Sequence, residues 1–385
     1  MNRRKLIQLM GGAALLPLVA PAIATSASQQ LRRLVLVELS GANDGLNTVI
    51  PFRDDGYYQL RPTLALQGDA RIELNDEFAL HAGLRRLMPA WEGGDLAIVH
   101  GLGYPQPNRS HFKSIALWES GSDGKRARRN GWLTHDIEHA YASEQVDAHG
   151  ISLGGGMGVF TSPRGNWLSM STASQFSQAR FDMQANAESD NPALSMVLER
   201  ASQLRASLDR ISGKLNRNRG DVNLGNEGLA QQASHAVNLI NAGIDAPVMK
   251  LTLGSFDTHE NQLGRHRNLL RELAGALSGM RKALKQSGRW DDTLVITYSE
   301  FGRRAGENRS GGTDHGTAAP HLVMGGKVAG GFYGRAPRLD RLVDGDLKHT
   351  MDYRAVYSAA LEQWLGLPTN EFGGYTDNRL QGLFA

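Results

Sequence analysis

Five short, nearly unbroken apolar runs constrain the fold of this chain most. They are Leu34–Leu39, Leu96–Val99, Val248–Leu253, Thr293–Thr297 and His321–Met324. Runs of this length without polar alternation suit strands covered on both faces. Helical patterns separate several of them. Leu269, Leu270, Leu273, Leu277, Met280 and Leu284, for example, recur at three-four spacing. Strands alternating with helices predict an α/β fold, with a mostly parallel sheet covered by helices on both faces. The 45 glycines fit a scaffold with many tight loops.

One segment breaks the alternation. Leu194, Val197, Leu198, Ala201, Leu204, Leu208, Ile211 and Leu215 form an apolar stripe, and a polar stretch, Asn216 to Glu227, follows. A second helical pattern then runs through Leu229, Ala233, Ala236, Leu239 and Ile240. This predicts a helical hairpin over 181–245, inserted into an α/β domain made of 31–180 and 246–385. Ordinary packing and a coiled-coil contact both fit the stripe.

The N-terminus reads as a targeting segment. Arg3 and Arg4 precede a modest apolar run from Leu9 to Ala20 that contains Gly11 and Gly12, and Pro21-Ala22-Ile23-Ala24 supplies small residues for cleavage. Residues 1–24 are thus expected to be a twin-arginine signal peptide, read by the twin-arginine export machinery, with delivery to the periplasm or beyond. The alternative, a membrane anchor, needs about 20 apolar residues, and this run falls short. No transmembrane segment is expected in the mature chain. Removing Arg3, Arg4 and Lys5 from the 42 basic residues leaves 39 against 39 acidic ones. A formally neutral mature chain gives no electrostatic case for binding nucleic acid. The chain has no cysteine, which excludes disulfides, thiolate metal ligands and a cysteine nucleophile.

Polar clusters lie beside the apolar runs. Ser40 to Asn47 follows the first, Pro105 to Phe112 the second, Ser255 to Gln262 the third and Ser299 to Arg303 the fourth; Gly311 to Gly316 precedes the fifth. Ligands of open α/β sheets bind beyond the carboxyl ends of the strands. Aspartate, glutamate and histidine delivered from separate strands form a donor set for a divalent ion. Each residue also has an ordinary reading: Asp44 as a turn former, Ser110 as a helix cap, Glu300 as a partner of a nearby arginine.

Taken together, the paired arginines, the Gly41-Ala42-Asn43-Asp44-Gly45-Leu46-Asn47 loop, Asn108-Arg109-Ser110-His111-Phe112, Phe256-Asp257-Thr258-His259, Ser299-Glu300-Phe301-Gly302-Arg303 and Asp314-His315-Gly316 resemble the exported family called domain of unknown function 1501. That family resembles the alkaline phosphatase and sulfatase superfamily. The resemblance implies an alkaline-phosphatase-like sheet and one or two divalent ions, Zn, Mn or Mg. It implies metal ligands at Asp44, Ser110, Asp257, His259, Glu300, Asp314 and His315. Ser110 is the implied nucleophile, with His111 as acid, base or ligand and Arg109 or Arg303 on a non-bridging oxygen. An anionic ester, a phosphoester rather than a sulfate, is the implied substrate, because Ser110 lacks the following proline and arginine of sulfatases. Two positions depart from the superfamily pattern. Phe301 stands where a histidine follows the acidic ligand, and Asn261 stands four residues after Asp257. These leave a non-catalytic metal-binding protein, or an envelope assembly or binding protein, as the alternative.

Overall fold

The computed structural model describes residues 31–384, except 124–127, 142–145, 171–189, 219, 337, 369–374 and 376. The expected signal segment and the first residues of the expected insertion lie outside the described residues. Leu31–Ala385 form one compact unit.

Each of the five apolar runs forms a strand. They are β1 (Arg33–Leu39), β5 (Leu96–Gly103), β8 (Val248–Leu253), β9 (Thr293–Tyr298) and β10 (Ala319–Gly325). All seven residues of β1 are buried. Val35, Val37 and Leu39 enter one apolar layer, and Leu34 and Leu36 enter the other. A strand covered on both faces has no reason to alternate, which is why the run looks continuous in the sequence.

These strands belong to a nine-stranded sheet. Along it lie β11 (Gly331–Tyr333), β5, β10, β9, β1, β8, β6 (Gly150–Ser152) and β7 (Trp167–Ser169), with β12 (Met351–Asp352) also on β5. β1 pairs in parallel with β8 and β9, and β6 with β7 and β8. β10 is antiparallel to both β9 and β5. β5 therefore points the same way as β9, and the carboxyl ends of β1, β5, β8 and β9 share one edge. The reversed β10 begins at that edge, so the loop before it arrives there too.

Helices cover both faces. On one lie α6 (Gly228–Asn241) and α7 (Gln262–Gln286), whose Leu229, Val237, Leu270, Leu277 and Met280 join the first layer. On the other lie α3 (His111–Ser120) and α8 (Arg354–Ala359), which contribute Leu117, Trp118 and Val356 to the second. The apolar stripe of 194–215 forms α5 (Pro192–Arg217), capped by Asn191 through the Ala193 amide. Only its second half is seated, through Leu208 and Ile211; Leu194 and Val197 stay exposed. Among the described residues no helix is long and apolar enough to cross a membrane.

Candidate metal centre

The edge shared by these strand ends gathers three imidazoles and one carboxylate. His111 opens α3 after β5, Asp257 and His259 follow β8, and His315 precedes β10. The donor atoms of His111, Asp257 and His315 lie within 4.8 Å of one another. His315 Nε2 is 3.0 Å from His111 Nε2 and 2.9 Å from His259 Nε2. Asp257 Oδ1 is 3.0 Å from His259 Nε2, 3.2 Å from His315 Nε2 and 3.6 Å from His111 Nε2. A tetrahedron with bonds of about 2.05 Å has edges of about 3.3 Å, so these spacings suit a small ion with nitrogen and oxygen ligands such as zinc.

The other nitrogen of each ring explains the arrangement. His111 Nδ1 meets Glu300 Oε1 at 2.7 Å, His259 Nδ1 meets Asp314 Oδ1 at 3.1 Å, and His315 Nδ1 meets the Arg109 carbonyl at 2.9 Å. Each of these oxygens only accepts, so each Nδ1 carries the proton and each Nε2 presents a lone pair. The lone pairs of His111 and His259 each face that of His315 beside a carboxylate, and such pairs repel unless a cation or a proton lies between them. Carboxylates and carbonyls behind metal-binding histidines fix the ring tautomer in this way. The residues therefore fit a divalent ion. The Asp257 and His259 side chains are nearly half exposed, which leaves one side of the cluster open to a ligand.

Charge within the cluster follows the same geometry. The hydrogen bond that His111 donates to Glu300 raises the His111 pKa above its ordinary value, and burial opposes it. Burial works against ionisation of Asp257, but Arg303, with His259 and His315, holds its carboxyl below the ordinary value. Phe301 packs its ring 5.0 Å from both the His111 and the His315 rings and forms an apolar wall on that side of the cluster.

Close backbone approach brings the loops together. Gly41 has φ +107°, and a Cβ there would lie 2.5 Å from the Asp257 amide nitrogen. Its N–H donates to Glu300 Oε1 at 2.9 Å, joining the loops after β1 and β9. A Cβ at Gly316 would lie 2.4 Å from the Arg303 carbonyl carbon, so the Asp-His-Gly loop can lie flat against that strand end. Asn261 has φ 47°, a left-handed conformation that asparagine tolerates better than most residues.

Not every candidate residue joins the donor set. Glu300 and Asp314 stand behind His111 and His259 and orient them. Asp44 is fully buried in an ion pair with Arg61, Nη1 to Oδ2 2.6 Å, and also accepts from the Gln262 amide. Its Oδ1 meets the Asn47 amide at 3.4 Å, the turn contact expected of an Asn-Asp-Gly loop. Burial disfavours the Asp44 charge, but Arg61 outweighs burial and holds the carboxyl below its ordinary value. His266, a further histidine on α7, bonds Asn43 Oδ1 at 2.9 Å and is kept neutral by burial, its pKa pushed down to about 3.

Both candidate arginines are engaged. Arg303 is buried and donates to Asp257 Oδ1 at 2.6 Å, the Phe256 carbonyl at 3.1 Å and the Ala42 carbonyl at 3.0 Å. It holds Asp257 against the loop after β1. The Arg109 side chain pairs with Asp346. Ser110 is exposed and stands at the N-cap of α3 without using its side chain as the cap. The Asn108 side chain instead accepts from the Ser110 amide at 2.8 Å. Arg61 and Ser114, whose hydroxyl donates to the Glu300 carbonyl, have no sequence signal: one precedes a proline in an unpatterned stretch, and the other is a small residue inside a helix.

Residues 72–367 match the family described as "Protein of unknown function (DUF1501)". The chain belongs to this family. No curated protein matches it. Among solved structures, this DUF1501 chain is similar to the zinc complex of the C-terminal periplasmic domain of EcEptC from Escherichia coli, at 9% identity and TM-score 0.44, covering 93% of this chain and 88% of that one. It is also similar to the phosphonate monoester hydrolase SpPMH from Silicibacter pomeroyi, at 11% identity and TM-score 0.42, covering 92% and 77%. A third is a protein in the alkaline phosphatase superfamily from Vibrio parahaemolyticus, at 12% identity and TM-score 0.38. That match covers 80% of this chain and 64% of the Vibrio chain.

Proposed function

We propose that this chain is an exported, metal-dependent hydrolase acting on a phosphoester or a related anionic ester. The observation that carries this reading is the group of His111, Asp257 and His315 donor atoms within 4.8 Å of one another, with His259 Nε2 beside His315 and each ring held through Nδ1. His111, Asp257 and His315, with His259 beside them, would hold a divalent cation, whose positive charge would polarise the ester and acidify a nearby hydroxyl.

The chain's own residues supply the rest. Ser110 directly precedes His111, and its hydroxyl is not spent on capping the helix. Its Oγ attacks phosphorus as the alcohol oxygen leaves, and water then releases the phosphoryl group from Ser110. The start of a ten-residue helix favours the negative charge of the ester. Glu300, Asp314 and the Arg109 carbonyl keep the three rings in register, and Arg303 keeps Asp257 ionised and in place.

Turnover of 4-nitrophenyl phosphate by the zinc-loaded chain tests this. Ser110→Ala keeps the metal content of the native chain and loses at least about 1,000-fold in kcat. Unchanged turnover in that variant removes Ser110 as the nucleophile. A second reading, a non-catalytic metal-binding or envelope-binding protein, is favoured by Phe301, whose apolar ring packs against His111 and His315 at the position where the superfamily resemblance implies a histidine. Stoichiometric metal with no turnover by the native chain selects that reading. For export, replacing Arg3 and Arg4 with lysines retains the protein in the cytoplasm, as fractionation and blotting would detect. Undiminished delivery across the membrane rejects the twin-arginine route.

A further inference from the structure

A cleft of about 620 Å³ adjoins the metal centre. Its walls come from the segments that build the centre. Arg109, whose carbonyl holds His315, lines one side, and Thr317, two residues past His315, lines another. The opposite wall is the loop from Val343 to His349, which the Thr317 hydroxyl ties down through the Leu347 carbonyl.

Among the described residues, the lining combines an apolar surface with one cation that is in no ion pair. Val343 is half exposed there, beside Leu347 and Pro107. Arg109 is neutralised by the buried Asp346, which Arg304 also approaches at 3.5 Å. Lys348 is exposed and forms no ion pair among the described residues. Arg109 and Lys348 line the cleft with Asp344 and Asp346, and Arg304, outside the lining, adds a third cation beside Asp346.

We propose that this cleft receives the alcohol half of the ester and selects alcohols with an apolar body that carry an acidic group, which Lys348 recognises. The inference rests on the anionic-ester reading of the metal centre and deepens it. An ester seated at the Asp257 cluster has its leaving group beside Arg109 and Thr317, and an acid on that group then meets Lys348, a cation in no ion pair among the described residues. Exposed ion pairs are weak, so the expected selectivity is modest and depends on salt.

Two non-hydrolysable probes test it by isothermal titration of the full chain with Zn²⁺ present: phenylphosphonate and 4-carboxyphenylphosphonate. The native chain binds the carboxylated probe about fivefold more tightly at low salt. Lys348→Gln abolishes that preference and leaves phenylphosphonate affinity unchanged, while Lys348→Arg retains the preference. Equal affinity of the native chain for both probes overturns the inference, as does a preference that survives in Lys348→Gln. If neither phosphonate binds, the anionic-ester reading itself fails, a result distinct from equal binding of both.

Discussion

The His315→Ala protein binds Zn²⁺ at least about 100-fold more weakly than the native chain. His315 Nε2 is the atom shared by the close contacts at 3.0 Å to His111 and 2.9 Å to His259, so its loss opens the middle of the donor set. Residues behind a metal-binding histidine are worth about 10- to 100-fold in affinity, and a direct donor is worth more. The comparison is therefore graded. Glu300→Gln keeps an oxygen facing His111 Nδ1 and weakens binding by about 10-fold, while Asp44→Asn leaves affinity within about threefold, because Asp44 serves Arg61 rather than the ion. Competition titration against a chromophoric chelator measures all three. Native-like affinity in His315→Ala would show that the histidines gather for some reason other than a metal. A large loss in Asp44→Asn would return that residue to the donor set.

The second large effect concerns stability. Arg61→Ala leaves the Asp44 carboxylate buried without its partner and destabilises the fold by about 3–5 kcal/mol at neutral pH. Urea unfolding measures this, and Arg61→Met combined with Asp44→Leu recovers most of the loss. The pH dependence carries a sign that separates this cause from lost packing. In the native chain the Asp44 carboxyl is held below its ordinary value. Its contribution is present above the unfolded value near 4 and is lost as pH falls through the lower folded value. In Arg61→Ala the largest opposition to burial is gone, and burial outweighs the remaining Asn47 and Gln262 hydrogen bonds and raises the folded value above the unfolded one. The Asp44 term then penalises the fold increasingly as pH rises from about 4 toward neutrality. The deficit of the variant relative to the native chain should therefore shrink on acidification. A constant deficit from about pH 5 to 7.5 would assign the loss to packing alone.

How far the sequence discloses this molecule depends on the kind of interaction. Leu34–Leu39 and its four counterparts could be read as strands because burial on both faces leaves an uninterrupted apolar signature. Gly150–Ser152 and Trp167–Ser169 are also strands of the sheet, but three residues carry no period. The antiparallel direction of β10 is invisible for a different reason: a buried apolar run reads the same whichever way it points. At the candidate metal centre, the structure places Asp257, His259 and His315 side by side, three of the residues that the family resemblance implies as ligands. Glu300 and Asp314 were expected as ligands as well, and spacing alone does not distinguish a carboxylate that touches an ion from one that holds the histidine in front of it. Asp44 illustrates the same limit, since its partner Arg61 is 17 residues away in a stretch without pattern.

The reversed strand β10 has a consequence for the order of events in making this protein. The candidate donors span His111 to His315, and they meet only when β10 is seated between β5 and β9. Before that, the nascent chain has Asp257 and His259 close in sequence but cannot bring His111 and His315 to them. Capture of an ion at the complete site would thus come after the sheet has closed, and a bound ion would fasten together segments some two hundred residues apart. The compartment in which the last strand is inserted is therefore the one whose free metals the finished pocket first samples. Affinity order alone would favour copper over zinc, so where the chain folds bears on its metal content as directly as which ligands it carries.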